Sequence, residues 1–276
     1  MILEEIHKMK KGFIILVFMF FISLTVTGYG VTQAKATPYA TKIPILTYHH
    51  ILEQEEIDQY NWTGNSAVIS TQTFQAHMDY LHENQYYTAT LKELEEFMDG
   101  EIDLPKKTVV LTFDDGYLSN IRYAYPVMKQ YGFKGVIFII GKSHEKEPEE
   151  WNAQGLQYLS YRDSDKYKDV FEYGCHTHDM HRLGDKNLAY LRISTKEAVI
   201  NDLSKNKALL QTDYISYPYG QYNQGVISNV KNLGYKLGFA NYYGYVKKST
   251  NKYKIPRINI YPTTTLEEFK SKVLGN

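Results

Sequence analysis

The sequence predicts an α/β protein built on a mainly parallel β-sheet. Apolar segments rich in β-branched residues alternate along the chain with amphipathic segments of about ten residues or more, and parallel strands need connections of this kind. Several apolar segments also end directly at polar residues, which is typical of strand ends that form a binding site. With 276 residues, 43% of them apolar, and a single cysteine, the chain can bury a core without a disulfide framework.

The elements follow from the local pattern. Strands are expected where short apolar runs stop at turn or polar residues, at 43–48, 108–113, 135–140, 170–175, 214–217, 235–240 and 255–260. Helices are expected where apolar residues recur every three or four positions, at 73–82, 91–98, 118–131, 194–210, 222–233 and 266–273. Gly132 and Gly234 follow two of these helices, where glycine commonly ends a helix.

The first 36 residues predict an export signal rather than part of the fold. Lys8, Lys10 and Lys11 precede the apolar run 13–26, and Ala34-Lys35-Ala36 has the small-x-small pattern of a signal-peptidase site. We expect cleavage after Ala36 and a secreted or cell-surface protein; the alternative is an uncleaved anchor that attaches the protein to a membrane. Translation could start at Met1 or at Met9. Residues 37–42 are expected to form a linker, and 43–276 a single domain.

Composition limits the partners. The formal net charge is zero, so nothing indicates a nucleic-acid partner. The single Cys175 lies in an apolar stretch and is expected to be a buried small hydrophobe. We expect a monomer.

Two adjacent carboxylates, Asp114 and Asp115, follow the strand expected at 108–113. Neighbouring carboxylates repel one another unless their roles are separated, for instance by a cation that one of them binds. Gly116 would allow the sharp turn that a metal-site loop requires. The alternative is structural, with one of the two aspartates capping the helix expected from Leu118.

Three histidines, His176, His178 and His181, follow the strand expected at 170–175. Imidazole is a common zinc ligand, so the cluster predicts a metal site. On a helix His176 and His181 would lie about 140° apart, so this pair could share an ion only from an irregular loop. His178 and His181 would suit one helical face, and His176 and His178 one strand face; spacing alone does not choose among the pairs.

The segments TFDDGY (112–117), His-Thr-x-x-x-His (176–181) and Pro-Tyr-Gly (218–220) occur in the order that resembles polysaccharide deacetylases with a NodB homology domain, carbohydrate esterase family 4. The resemblance covers roughly residues 43–272 and implies a distorted (β/α) barrel. It is closest to the branch that deacetylates the biofilm polymer poly-β-1,6-N-acetylglucosamine, the intercellular adhesion deacetylases. That branch shares the five-residue histidine spacing, a first strand like IPILTYHHI, a last strand like IPRINI, and Ser216 where the wider family has arginine.

The resemblance implies a role for each matching residue. Asp115, His176 and His181 match the metal ligands, and Asp114 matches the general base. The backbone N–H of Tyr219 matches the donor of the oxyanion hole. One divalent ion is implied; we expect Zn²⁺, and Co²⁺, Ni²⁺ or Fe²⁺ would also suit this ligand set.

Two further roles are less direct. The wider family takes its general acid from a C-terminal histidine, but no histidine follows His181 here. In the biofilm branch the acid comes from the first strand, where His49 matches and the adjacent His50 is the second choice. Arg257 is the expected substitute for the family arginine that orients the base.

These assignments predict a metal-dependent hydrolase that removes N-acetyl groups from an extracellular N-acetylglucosamine polysaccharide. The first alternative is the same chemistry on peptidoglycan, chitin oligomers or O-acetyl xylan. The second, from another class, is a wall-sugar-binding protein without turnover.

Overall fold

The computed structural model describes residues 39–275. The export signal, its cleavage or retention as an anchor, the start site and the first residues of the linker therefore lie outside the described residues. Within 39–275 no helix has both the length and the apolar character needed to cross a membrane.

Eleven strands are found in the described part of the chain: β1 Ile43–Tyr48, β2 His50–Leu52, β3 Val68–Ser70, β4 Tyr87–Thr88, β5 Thr108–Phe113, β6 Gly135–Ile139, β7 Phe171–Cys175, β8 Tyr214–Ser216, β9 Leu237–Phe239, β10 Tyr245–Val246 and β11 Ile258–Asn259. The α-helices of the same part are α1 Gln54–Gln59, α2 Thr71–Glu83, α3 Leu91–Asp99, α4 Tyr125–Tyr131, α5 Gly141–His144, α6 Tyr161–Ser164, α7 Tyr190–Ile193, α8 Lys196–Leu210, α9 Gln224–Asn232 and α10 Leu266–Leu274.

The main sheet has the strand order β10-β1-β5-β6-β7-β8-β9. All neighbours along this order are parallel except β10, which runs antiparallel to β1. β11 also pairs with β1, and a parallel bridge joins Phe239 of β9 to Ile255. The segment 255–259 therefore lies between β9 and β1, so the sheet curls into the distorted (β/α) barrel that the sequence predicted.

The strands that carry polar residues at their carboxyl ends lie in the interior of the sheet. β1 and β5 are buried along their whole length and pair from Ile45–Val110 to Tyr48–Phe113. Such continuous apolar strands are typical of a parallel sheet covered on both faces. Because parallel strands share one carboxyl edge, the residues after β1, β5, β7 and β8 meet there.

Several local predictions are confirmed. Gly132 and Gly234 follow α4 and α9 with the left-handed φ of 68° and 74° that favours glycine. Cys175 is fully buried, and burial raises the pKa of its thiol to about 12. The segment expected to be a helix at 118–131 is helical, but Asn120–Ala124 form one turn of π-helix before α4 begins.

Candidate active site

Asp115, His176 and His181 converge at the carboxyl edge of the sheet. Each offers one ligand atom, and these three atoms lie within 4.8 Å of one another. Asp115 Oδ1 is 3.4 Å from His176 Nε2 and 3.1 Å from His181 Nε2. The irregular loop after β7 brings the 176/181 pair together, the arrangement that a helix would not allow.

The hydrogen bonds around His176 show that these residues fit a cation. His176 Nδ1 lies 2.8 Å from the carbonyl oxygen of Ser216, which can only accept, so Nδ1 carries the proton. In the neutral ring the Nε2 lone pair then points toward Asp115. Asp115 Oδ1 is buried and accepts no well-aligned hydrogen bond. Lone pairs that face one another in a buried site are the arrangement that a metal ion would stabilise.

The carboxylates and imidazoles of this cluster shift one another's pKa values. Burial acts to raise the pKa of Asp115, but His176, His181 and the charge of His49 outweigh it and hold the pKa well below its usual range. Burial likewise acts to lower the pKa of His176, but the carboxylates of Asp114 and Asp115 outweigh it and raise the pKa. The electrostatic potential at this cluster therefore favours a positive charge.

Asp114 has a different partner. Arg257 binds it through two hydrogen bonds, from Nη1 to Oδ1 at 2.8 Å and from Nη2 to Oδ2 at 2.7 Å. Burial acts to raise the pKa of Asp114, yet the charges of Arg257 and His176 outweigh it, and the pKa falls to about 2. Asp114 is therefore ionised at neutral pH, and it binds Arg257 rather than capping a helix.

Ser216 connects the two aspartate environments, and the sequence reasoning did not foresee this. Its carbonyl accepts from His176, while its hydroxyl donates to Asp114 Oδ2 at 3.2 Å and accepts from Arg257 Nη2 at 2.8 Å. The small side chain stands at the position that the resemblance matched to an arginine, and the guanidinium of Arg257 reaches Asp114 from the segment that precedes β11. Arg257 is itself 1% exposed and anchored to the Ala240 carbonyl.

His49 and His50 lie in different surroundings. His49 directly follows β1, whose Tyr48 pairs with Phe113, so it stands beside Asp114, and its charge contributes to the lowered pKa of both aspartates. His50 is buried, with Nδ1 2.7 Å from Ser119 Oγ, and its pKa falls to about 4, chiefly because of burial. Of these two histidines, His49 is therefore the one that is partly exposed to solvent.

The third histidine of the cluster is not in the ligand group. His178 Nε2 lies 3.2 Å from Glu145 Oε2.

The sequence pattern did not single out the side chains of three tyrosines, Tyr117, Tyr158 and Tyr219. Tyr219 stacks on His181 with ring centroids 4.6 Å apart, and Tyr117 stacks on Tyr158. Burial, and then the charge of Asp115, raise the pKa of all three phenols.

A carboxylate and two imidazoles with converging ligand atoms, beside an ionised aspartate, form a group that could hold one divalent ion. The family model for polysaccharide deacetylase matches residues 101–238. The Bacillus subtilis (strain 168) protein YxkH, described as a polysaccharide deacetylase, is 31% identical over 228 residues, covering 82% of this chain and 74% of that one. The chain therefore belongs to the polysaccharide deacetylase family and is a deacetylase.

Other relatives agree with this assignment. The poly-β-1,6-N-acetyl-D-glucosamine N-deacetylase of Staphylococcus aureus (strain MSSA476) is 28% identical over 273 residues, covering 91% of this chain and 92% of that one. Two solved structures share the fold with a TM-score of 0.72 and 23% identity: Streptococcus pyogenes deacetylase PplD in complex with acetate, covering 85% of this chain and 99% of that one, and IcaB from Ammonifex degensii, covering 86% and 98%.

Proposed function

We propose that this protein is a metal-dependent N-deacetylase of extracellular poly-β-1,6-N-acetylglucosamine, the polysaccharide of biofilms. The convergence of Asp115, His176 and His181 within 4.8 Å, beside the Asp114–Arg257 pair, carries the proposal. The substrate is supported by the relative from Staphylococcus aureus, which is similar along 91% of the chain. The export pattern of residues 1–36 supports a site of action at or beyond the cell surface.

The protein's own residues account for the proton transfers. Asp115, His176 and His181 would hold a divalent ion, which would supply Lewis acidity toward the acetyl carbonyl and the attacking water. Asp114 is ionised, so it can accept the proton of that water. Arg257 and Ser216 fix the orientation of the carboxylate through three hydrogen bonds, and one acceptor position stays free because a carboxylate can accept about four.

The second proton goes to the leaving nitrogen. An amide nitrogen leaves readily only after protonation, which requires a general acid within reach of that nitrogen. His49 is the proposed donor, because it is the half-exposed imidazole beside Asp114. The Tyr219 backbone N–H is the proposed donor to the oxyanion, and the products are acetate and a glucosamine unit.

The test is acetate release from defined oligosaccharides. We expect β-1,6-linked N-acetylglucosamine oligomers to release acetate faster than chitin oligomers, peptidoglycan fragments or O-acetyl xylan. A chelator should stop the reaction, and added Zn²⁺, Co²⁺, Ni²⁺ or Fe²⁺ should restore it to different extents. Faster release of acetate from another member of this panel would identify that glycan as the substrate instead. Binding of oligomers without any acetate release would indicate a sugar-binding protein.

A further inference from the structure

Helix α8 buries two polar side chains within its apolar stripe. Its buried residues are Val199, Asp202, Leu203 and Asn206, spaced as on one helix face toward the core. A carboxylate or an amide in such a stripe is costly unless it finds hydrogen-bond partners. The partners of these two side chains therefore indicate why the helix carries them.

Asp202 binds the backbone of the loop that carries the histidines. Its Oδ1 accepts the His178 N–H at 2.8 Å and its Oδ2 accepts the Asp179 N–H at 2.7 Å. The residue is 7% exposed, so these bonds lie largely away from water. One turn further along α8, Asn206 donates to the Ile139 carbonyl at 3.1 Å, the same carbonyl that accepts the His176 N–H.

The loop has little regular structure of its own to fix its path. His176 and His181 are separated by four residues without helix or strand, and Thr177 has a left-handed φ of 66°. Such a conformation persists in a non-glycine residue when the surroundings hold it. The two charge-assisted bonds to Asp202 fall in the middle of these four residues. The loop also accepts the Gly141 N–H and the Lys142 N–H at the carbonyls of Thr177 and His178, so Asp202 supplies the side-chain share of the bonds that hold the path between the two imidazoles.

We propose that Asp202 is a positioning residue of the metal site, and the proposal rests on the proposed ligand set Asp115, His176 and His181. Asp202 acts through the backbone of residues 178 and 179, without touching the ion. At position 178 the backbone N–H therefore matters, whereas the imidazole, which faces Glu145, does not.

Zinc affinity of the full-length protein, measured by competition with a chelating dye, tests this. Loss of an outer hydrogen-bond partner typically weakens metal binding roughly 10- to 100-fold, and we expect a loss of this size for Asp202→Ala. His178→Ala should bind zinc like the wild type, because it keeps the backbone bond. Glu95→Gln is the stability control: Glu95 is also 7% exposed and bonded, to the Tyr214 hydroxyl, but it lies on α3.

Asp202→Asn covers the case in which the alanine variant does not fold. Its amide keeps one acceptor for two N–H groups, so we expect an affinity between those of the wild type and Asp202→Ala. The absorption spectrum of Co²⁺ bound to this variant should also differ from that of Co²⁺ bound to the wild type. Wild-type zinc affinity in the folded Asp202→Asn and Asp202→Ala proteins would overturn the role of Asp202 alone. A wild-type protein with no zinc affinity would overturn the proposed function as well.

Discussion

Asp114 and Asp115 are neighbours in the chain, yet their side chains enter opposite environments. Asp114 is neutralised by Arg257 through two hydrogen bonds, whereas Asp115 faces two imidazoles and leaves Oδ1 without an aligned donor. The left-handed φ of 74° at Asp115, followed by Gly116 at 79°, turns the chain sharply where β5 ends. The turn separates the proposed proton acceptor from the proposed metal ligand within two adjacent residues.

Asp114→Asn tests this separation. An amide cannot accept the proton of the attacking water, so we expect acetate release to fall roughly 100- to 10,000-fold, the contribution typical of a general base. Zinc affinity should stay close to that of the wild type, because Asp115, His176 and His181 are unchanged. Both quantities are measured on protein shown to be folded by circular dichroism, since Arg257 loses its charged partner. Normal turnover by this variant would remove Asp114 as the base.

The residues of the site could be predicted from the sequence only where they lie in short segments. Asp114, Asp115, His176 and His181 stand in two runs of adjacent polar residues, and the structure brings them together. Arg257 is 143 positions from Asp114, so its contact follows from the barrel and not from any local pattern. Asp202 was missed, although a carboxylate in the apolar stripe of α8 is a signal that the helix pattern contained. Ser216 was noted only for its position, and its contacts with Asp114, His176 and Arg257 were not predicted.

At the scale of elements, long and strongly patterned segments were predicted well. β1 and β5 have the predicted bounds, because a continuous run of β-branched and apolar residues that is buried on both faces strongly favours a strand. The three-residue strands β2 and β3 were missed, since three residues show no periodicity. The turn of π-helix before α4 was also missed. Such a turn adds one residue to a helix, so the apolar spacing of the flanking helical residues is almost unchanged.

Gly174 tests how tightly two neighbouring strands support the site. A Cβ at this position of β7 would stand 2.4 Å from the ring of Phe138 on β6, which is fully buried. The ring cannot move freely because it also packs against Phe239 and lies under the guanidinium of Arg257. We expect Gly174→Ala to lower the free energy of unfolding by about 1–3 kcal/mol, the usual cost of overpacking a core.

Chemical denaturation of Gly174→Ala beside Gly155→Ala measures that cost. Gly155 has no heavy atom within 4 Å of the added Cβ and no left-handed φ, so its substitution should leave stability nearly unchanged. Equal stability of the two variants would show that β6 and β7 can separate without loss.

At the scale of the whole molecule, the site depends on the closed arrangement of the barrel. The carboxyl ends of β1, β5, β7 and β8 and the segment before β11 each contribute one part of it, over more than 200 positions of the chain. No part holds the geometry alone, so the complete ligand set exists only in the folded state. Metal binding and folding are therefore expected to be coupled.

Thermal unfolding with and without Zn²⁺ measures this coupling. A ligand that binds only the folded state stabilises it by about 2.7 kcal/mol at a free concentration 100 times its Kd, so the midpoint should rise with added zinc and fall again with a chelator. In Asp115→Ala, which lacks the ligand from β5, the rise should disappear. Zinc binding by the remaining histidines of the unfolded chain would reduce the rise, and this variant also measures that contribution. The same rise in both proteins would mean that zinc stabilises the fold from a place other than Asp115, His176 and His181.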